Sequence, residues 1–223
     1  MRPASPASLS LSLIAAALVL ASPAAAQSQS PQPCRYFTSC TPVVGPWVST
    51  PSDGDNLYQL GCPDGRRALG ADAVFPGAIY PVGIETAGGL GPGNAGLAFA
   101  VFPAPVKVTF KPGVGCVPDA SLGPTRRAAV PRRYRTRVRT RRIHPGDELR
   151  VRLGCARGAR LVRSGSGLAF FTRRPPSSRL LKRLEHRHRR TGSVTRTHVA
   201  APAGVGDNER VELQVSVVCR PAR

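Results

Sequence analysis

The sequence contains none of the short motifs by which common catalytic sites are recognised. It has no G-x-S-x-G elbow, no H-E-x-x-H, no phosphate-binding P-loop, and no C-x-x-C pair of the kind found in zinc sites. Histidine occurs four times, and never in the first half of the chain. These absences argue against an enzyme of a familiar kind and favour a binding or structural protein.

Aromatic residues are also scarce, at 5% of the chain, whereas Gly and Pro number 23 each. This composition favours short strands and frequent turns over long helices. The immunoglobulin hallmarks are missing, because Trp47 precedes Cys62 and valine stands two residues before the later cysteines, at 114 and 217. We therefore expect β-sandwich architecture without membership of that family.

Residues 1–26 are predicted to be a cleavable signal peptide. Arg2 makes the start positive, an apolar run extends from Leu9 to Ala21, and small residues suited to cleavage follow at 24–26. The run has 13 residues, whereas a membrane-spanning helix needs about 20. No later stretch is long and apolar enough to span a bilayer. We expect a secreted chain, extracellular or associated with the cell envelope.

Six cysteines agree with export, because an even number in a secreted chain indicates disulfides. An internal repeat suggests how they pair. Residues 54–62 (GDNLYQLGC) correspond to residues 146–155 (GDELRVRLGC), and each half ends on an alternating strand that leads to another cysteine. The predicted disulfides are Cys62–Cys116, Cys155–Cys219 and Cys34–Cys40.

The fold class that follows is all-β, with two tandem small disulfide-linked β-sandwich domains and one short basic helix inserted in the second. Ser178–Arg190 is the predicted helix, with Ser178 as its cap. Alternating residues predict a hairpin over Arg132–Cys155 that turns at His144–Asp147. The predicted segments are a signal peptide at 1–26, an N-terminal Cys loop at 27–42, a β-domain at 43–118, a linker at 119–130 and a basic β-domain at 131–221.

Positive charge is concentrated in the second half. The formal net charge is +20, yet residues 27–120 hold five basic and six acidic side chains, against 26 and six in residues 121–223. Arginine outnumbers lysine 29 to 3, which the codon usage of a GC-rich genome would explain. Codon usage does not explain why one half is neutral and the other strongly basic.

The arginine runs are the candidate binding site. Along the predicted strand arginine occupies every second position, about 7 Å apart, and guanidinium forks suit the phosphates or carboxylates of a polymer. The expected partner is an anionic cell-wall polymer or a membrane surface. Sequence-specific nucleic-acid binding is not expected, because no DNA-binding motif is present. The candidate polyanion-binding residues are Arg133, Arg135, Arg137, Arg139, Arg141, Lys182, Arg183, Arg187, Arg189 and Arg190.

Two clusters of titratable residues could suggest chemistry, but each has a structural interpretation. His186 and His188 beside Glu185 could suggest a metal site, but on the predicted helix the rings would point apart, and nearby cations would repel a divalent ion. The acidic pairs occupy equivalent turns in the two repeats, where aspartate is a turn former. These pairs are Asp53/Asp55 and Asp147/Glu148. We expect no metal, no cofactor and no catalytic residue.

One sequence pattern resembles a known group of proteins. C-P-x-G-(R/K)-x-x-x-G, followed by a closing strand and a second cysteine, occurs in Cys62–Gly70 and more weakly in Cys155–Arg163, where Ala156 and Arg163 depart from it. This resembles tandem domains in exported proteins of high-GC Gram-positive bacteria. The resemblance covers most of residues 45–221 and implies no assigned activity.

The function expected from the sequence is therefore that of an exported, non-enzymatic protein that binds anionic envelope polymers through its arginine-rich C-terminal domain. Two alternatives stay open. One is an envelope-acting hydrolase with an unrecognised site, and the other is a structural or partner-binding β-sandwich.

Overall fold

The computed structural model describes residues 30–76, 84–86, 96–101, 107–118, 134–205 and 209–221. The predicted signal peptide, the predicted linker at 119–130 and Arg133 lie outside these residues. The described chain is mostly β, which confirms the predicted class. Its elements are β1 (Thr41–Val44), β2 (Trp47–Ser49), β3 (Tyr58–Gly61), β4 (Arg66–Val74), β5 (Ile84–Thr86), β6 (Gly96–Val101), β7 (Thr109–Pro118), β8 (Arg135–Ile143), β9 (Glu148–Gly154), β10 (Ala159–Phe170), α1 (Ser178–Arg183), β11 (Glu185–Thr191), β12 (Val194–Ala200) and β13 (Val211–Pro221).

The largest element is a curled antiparallel sheet of seven strands, shaped like half a barrel. Its order is β1–β7–β2–β10–β13–β8, and β4 pairs with β7 as well. Strands from both predicted domains therefore share one sheet. The short strand β2 joins them, because Val48 lies opposite Phe110 of β7 while Trp47 lies opposite Phe170 of β10.

Neighbouring residues of β2 point into different hydrophobic cores. Trp47 packs with Phe170 and Leu213, whereas Val48 packs with Phe110 and Ala169. Since successive side chains of a strand point to opposite faces, the two cores lie on opposite faces of the shared sheet. Each core is covered by a three-stranded antiparallel sheet, β3–β6–β5 over one and β9–β12–β11 over the other.

The three predicted disulfides are the ones that the structure contains. Cys62 follows β3 and bonds to Cys116 in β7. Cys155 follows β9 and bonds to Cys219 in β13. These two bonds therefore each tie a covering sheet to the shared sheet. Cys34 and Cys40 close a short loop, and no cysteine of the described chain is free.

The predicted hairpin over Arg132–Cys155 is wrong, although its turn is present. Gly146 has a φ of 77°, and the amide of Asp147 donates to the carbonyl of His144 at 3.1 Å. The two flanking strands separate after the turn, since β8 pairs with β13 and β9 pairs with β12. The chain crosses from one sheet to the other, so that Ile143 and Val151 are buried in the core between the sheets.

The predicted helix over Ser178–Arg190 is also wrong in its second part. The helix α1 covers Ser178–Arg183 and is capped by Ser177, whose side chain accepts from the amide of Leu180. From Glu185 the chain continues as strand β11. Alternate residues of β11 are buried against the core, and this tertiary burial overrides the helical preference of the leucine-rich start.

Candidate anion-binding face

The sheet β9–β12–β11 has two chemically different faces. Its inner face is buried and carries Val151, Leu153 and Val199 with several polar side chains. Its outer face carries the residues between them. We call this outer group the arginine face, and its members are Arg150, Arg152, Arg187, Arg189, Arg196 and His198.

Strand register places these cations in two rows. Arg150, His198 and Arg187 lie opposite one another across β9, β12 and β11. Arg152, Arg196 and Arg189 form the second row. Neighbouring strands are about 4.8 Å apart, and residues two positions along a strand are separated by about 6.8 Å. The side chains line a shallow concavity of about 560 Å³.

Carboxylates lie along one end of the arginine face. Glu148 pairs with Arg150 at 2.7 Å, and Glu185 pairs with Arg187 at 2.8 Å. His198 lies between the two acids, with Nε2 at 3.2 Å from Glu148 and Nδ1 at 3.6 Å from Glu185. Hydrogen bonds from Arg150 and His198 lower the pKa of Glu148. This first row is therefore largely neutralised by its own acids.

The positive charge of the second row is neutralised much less by carboxylates. Arg189 is 3.7 Å from Asp53. Arg152 and Arg196 are exposed, and within the described ranges neither makes an ion pair or a hydrogen bond through its side chain. Like charges directly opposite on neighbouring strands destabilise a sheet. This row therefore costs folding free energy unless an anion binds to it.

The candidate binding-site arginines of β8 form a second basic surface. Arg135, Arg137, Arg139 and Arg141 are exposed, although their partners on β13 include the buried Val215 and Val217. They stay exposed because β8 is an edge strand and the covering sheet ends at β9. Arg137 reaches that edge, since its guanidinium donates to the carbonyl of Gly154, the last residue of β9, at 2.6 Å.

The remaining predicted site residues are divided among three places. Arg187 and Arg189 belong to the arginine face. Lys182 and Arg183 are exposed at the end of α1. Arg190 turns away from the face, because its guanidinium donates to the carbonyls of Leu161 and Val162 at 2.6 and 3.2 Å. The candidate residues on the described chain thus do not form one stripe.

Sequence reasoning missed Arg150, Arg152 and Arg196. The alternation of β9 was recognised, and it already placed Arg150 and Arg152 opposite the apolar residues of that strand. Arg196 alternates with Thr195 and Thr197 in the same way. The arginine face could not be recognised from the sequence because residues 185–190, which supply its third strand, were predicted to be helical.

The inner face of this sheet contains a buried polar layer that includes His186 and His188. His186 Nε2 is 2.8 Å from the hydroxyl of Ser166. His188 contacts the hydroxyls of Thr195 and Thr197 at 2.8 and 2.9 Å. Burial lowers the pKa of His186 to about 3 and that of His188 to about 4. Both rings are therefore neutral, and they share one strand face where the predicted helix would have pointed them apart.

No metal site is formed by these histidines or by other groups of the described chain, where no three His, Cys, Asp or Glu residues are close enough to hold an ion. No described helix is long and apolar enough to cross a membrane. His144 lies exposed in its turn. Asp53, predicted as a turn former, also accepts from the amide of His188 at 3.3 Å.

Fold and site together define a class: a disulfide-linked, mostly β protein with one strongly basic half, suited to an oxidising environment. Neither protein-family models nor curated proteins match the chain.

Proposed function

We propose that this is an exported, non-enzymatic protein whose arginine-rich C-terminal half binds anionic polymers of the cell envelope and so retains the protein there. The observation that carries the proposal is the second row of the arginine face, where Arg152, Arg196 and Arg189 lie directly opposite one another. Guanidinium groups arranged in this way repel one another and attract anions.

Codon usage does not account for this arrangement. A GC-rich genome replaces lysine by arginine wherever either is accepted, but it does not select one face of one sheet. The β8 arginines add a second basic surface beside the edge of β9. Among the described residues, the carboxylates that form ion pairs with arginines of the face are Glu148, Glu185 and Asp53. The two surfaces together would hold a long polymer more firmly than a single anion.

We further propose that the two halves are copies of one β-sandwich unit, joined by the predicted linker, as in the exported tandem-domain proteins of high-GC Gram-positive bacteria that the sequence resembles. The strand pairings support this. In the first half β3 pairs with β6, β6 with β5 and β4 with β7. In the second half β9 pairs with β12, β12 with β11 and β10 with β13. The long disulfides lie at corresponding positions.

A hydrolase is the second candidate, since His198 lies between Glu148 and Glu185 at one end of the arginine face. A general base works best when its pKa is near the operating pH. Both Arg150 and His198 lower the pKa of Glu148, which makes this carboxylate a weak base. Both ring nitrogens of His198 face carboxylates instead of the open concavity. These contacts favour binding over catalysis.

The test measures the salt concentration that releases the protein from anionic wall polymer. The variant Arg135→Gln/Arg137→Gln/Arg139→Gln/Arg141→Gln is compared with a control that removes four exposed arginines elsewhere, at 157, 160, 173 and 220. We expect the β8 variant to be released at clearly lower salt than the control, because affinity depends on the cations that contact the polymer. A wild-type protein that does not bind at low salt would refute the proposal, whereas equal release of the two variants would remove the β8 arginines from the binding surface.

A further inference from the structure

Arg152 and Arg196 differ from the other arginines of the face because no carboxylate of the described residues forms an ion pair with them. They lie directly opposite each other on β9 and β12. Their neighbours in the first row are held by Glu148 and Glu185. In the part of the chain that the structure describes, the side chains of Arg152 and Arg196 have no ion-pair partner. The Arg152–Arg196 pair is therefore the part of the sheet best suited to bind an anion.

Arg189 adds a third guanidinium to this point, since it lies opposite Arg196 on the other side. Asp53 approaches it at 3.7 Å, which is too long for a hydrogen bond. Three guanidinium groups can therefore converge on one anion. One guanidinium fork pairs with both oxygens of a carboxylate in a single plane. A phosphodiester carries its charge on two non-bridging oxygens of a tetrahedral phosphorus, so that guanidinium groups can approach these two oxygens from outside one plane.

The arginine face carries no Phe, Tyr or Trp. Proteins that hold single-stranded nucleic acids stack the bases on aromatic side chains. A face without such side chains suits a polymer that offers phosphates but no bases. Phosphodiester-linked wall polymers of the teichoic type have this chemistry.

We infer that Arg152, Arg196 and Arg189 form a phosphate subsite that takes the phosphodiester groups of a teichoic-type wall polymer. The inference rests on the proposed function and names the anion that the arginine face selects. Arg196 is the central binding residue, with Arg152 and Arg189 on either side. The β8 arginines contribute general attraction to the polymer and do not select its anionic group.

The experiment measures binding of the full chain to poly(glycerol phosphate), to polygalacturonate as a carboxylate polymer, and to single-stranded DNA. Arg152→Gln/Arg196→Gln is the test variant. Arg160→Gln/Arg220→Gln is the matched control, because Arg160 and Arg220 are also exposed and also lie directly opposite each other, on β10 and β13. Both variants lose the same charge. Melting temperatures show that each variant is folded.

We expect the test variant to bind poly(glycerol phosphate) about tenfold more weakly for each arginine removed, which is the value of a hydrogen bond to a charged group. The control keeps nearly its full affinity. On polygalacturonate the two variants should lose affinity equally. Arg152→Lys/Arg196→Lys keeps the charge but lacks the fork, so it should also weaken binding to poly(glycerol phosphate) while the salt dependence stays the same.

Three results would overturn the inference. One is an equal loss in test and control variants on poly(glycerol phosphate), and another is a lysine variant that binds like the wild type. The third is tighter binding of DNA than of poly(glycerol phosphate), which would make nucleic acid the ligand. In these cases polymer binding itself would remain. A wild-type protein that binds none of the three polymers at low salt would instead refute the proposed function.

Discussion

The two halves of this protein pair their strands in corresponding ways and differ in what they expose. In both, a disulfide ties a three-stranded covering sheet to the shared sheet. Residues 27–120 carry a net charge of −1, obtained from five basic and six acidic side chains, and no histidine. The second half carries the arginine face outside its covering sheet and a buried histidine layer inside it. The same strand arrangement can therefore support different surfaces, because outward side chains contribute little to the core.

The long disulfides test whether the halves are equivalent in stability. Replacing Cys62 and Cys116 with alanine, or Cys155 and Cys219, should each lower the free energy of unfolding by about 4 kcal/mol, since the bonds close loops of similar length. The residue separations are 54 and 64. Urea unfolding measures the two losses. A large effect from one pair and none from the other would show that the halves differ in how far they depend on their disulfides.

Trp47 tests how the halves are connected. This residue belongs to the first half by sequence but packs in the core of the second. Trp47→Ala should cost at least about 3 kcal/mol, and the loss should appear in β9 and β13 more than in β3 and β6. Hydrogen exchange locates it. Val48→Ala is the matched control, because Val48 packs in the other core. Loss of protection confined to the first half in Trp47→Ala would contradict the shared-sheet arrangement.

The buried histidines should make the second half sensitive to acid. Their folded pKa values, about 3 for His186 and about 4 for His188, lie below the ordinary value of 6.5. Below pH 6.5 the unfolded chain therefore binds more protons than the folded chain, and stability falls as the pH falls. By pH 5 each histidine should reduce it by about 2 kcal/mol. Lys107 near His186 acts in the same direction, while Asp53 and Asp55 near His188 oppose it.

Urea unfolding at pH 7, 6 and 5 measures this dependence. His186→Gln should remove about half of it, since one of the two titrating rings is gone. His144→Gln, which changes an exposed turn residue, should leave it unchanged. A wild-type stability that stays constant from pH 7 to pH 5 would mean that the two rings are not held neutral.

The smallest predicted change in the free energy of unfolding comes from the arginine face. Arg152→Gln/Arg196→Gln should raise the free energy of unfolding by about 0.5 kcal/mol, because it removes two like charges that lie directly opposite each other. Thermal unfolding at low salt measures the gain, and high salt should reduce it. A loss of stability in this variant would mean that the arginines stabilise the fold, and it would argue against the proposed difference in function between the neutral half and the basic half.

Several features were predictable because they depend on neighbouring residues or on the order of matched positions along the chain. The alternation of Leu149, Val151 and Leu153 predicted a strand with one buried face, and the structure has β9 there. The matched cysteine positions of the predicted repeat indicated the two long disulfides, and the remaining two cysteines gave the third. The turn at His144–Asp147 was predictable from its Pro-Gly-Asp chemistry.

Other features depended on contacts between distant residues. Leu180 and Leu181 lie in the helix α1, and nothing local shows that the chain must become a strand at Glu185 to cover the core. The turn at His144–Asp147 suits a hairpin as well as a crossing between sheets. The arginine face is assembled from three strands between Glu148 and Ala200, and its rows exist only in the register that these strands adopt.

Spacing, alternation and composition are properties of the chain, so the disulfide framework, the mostly β character and the concentration of positive charge in the second half could be derived from them. Which arginines lie together depends instead on how the strands pair. Cross-strand register places Arg152 opposite Arg196, although 43 residues separate them in the sequence by number. Their unneutralised charge comes from that register and from the positions of three carboxylates, neither of which is written in any local pattern.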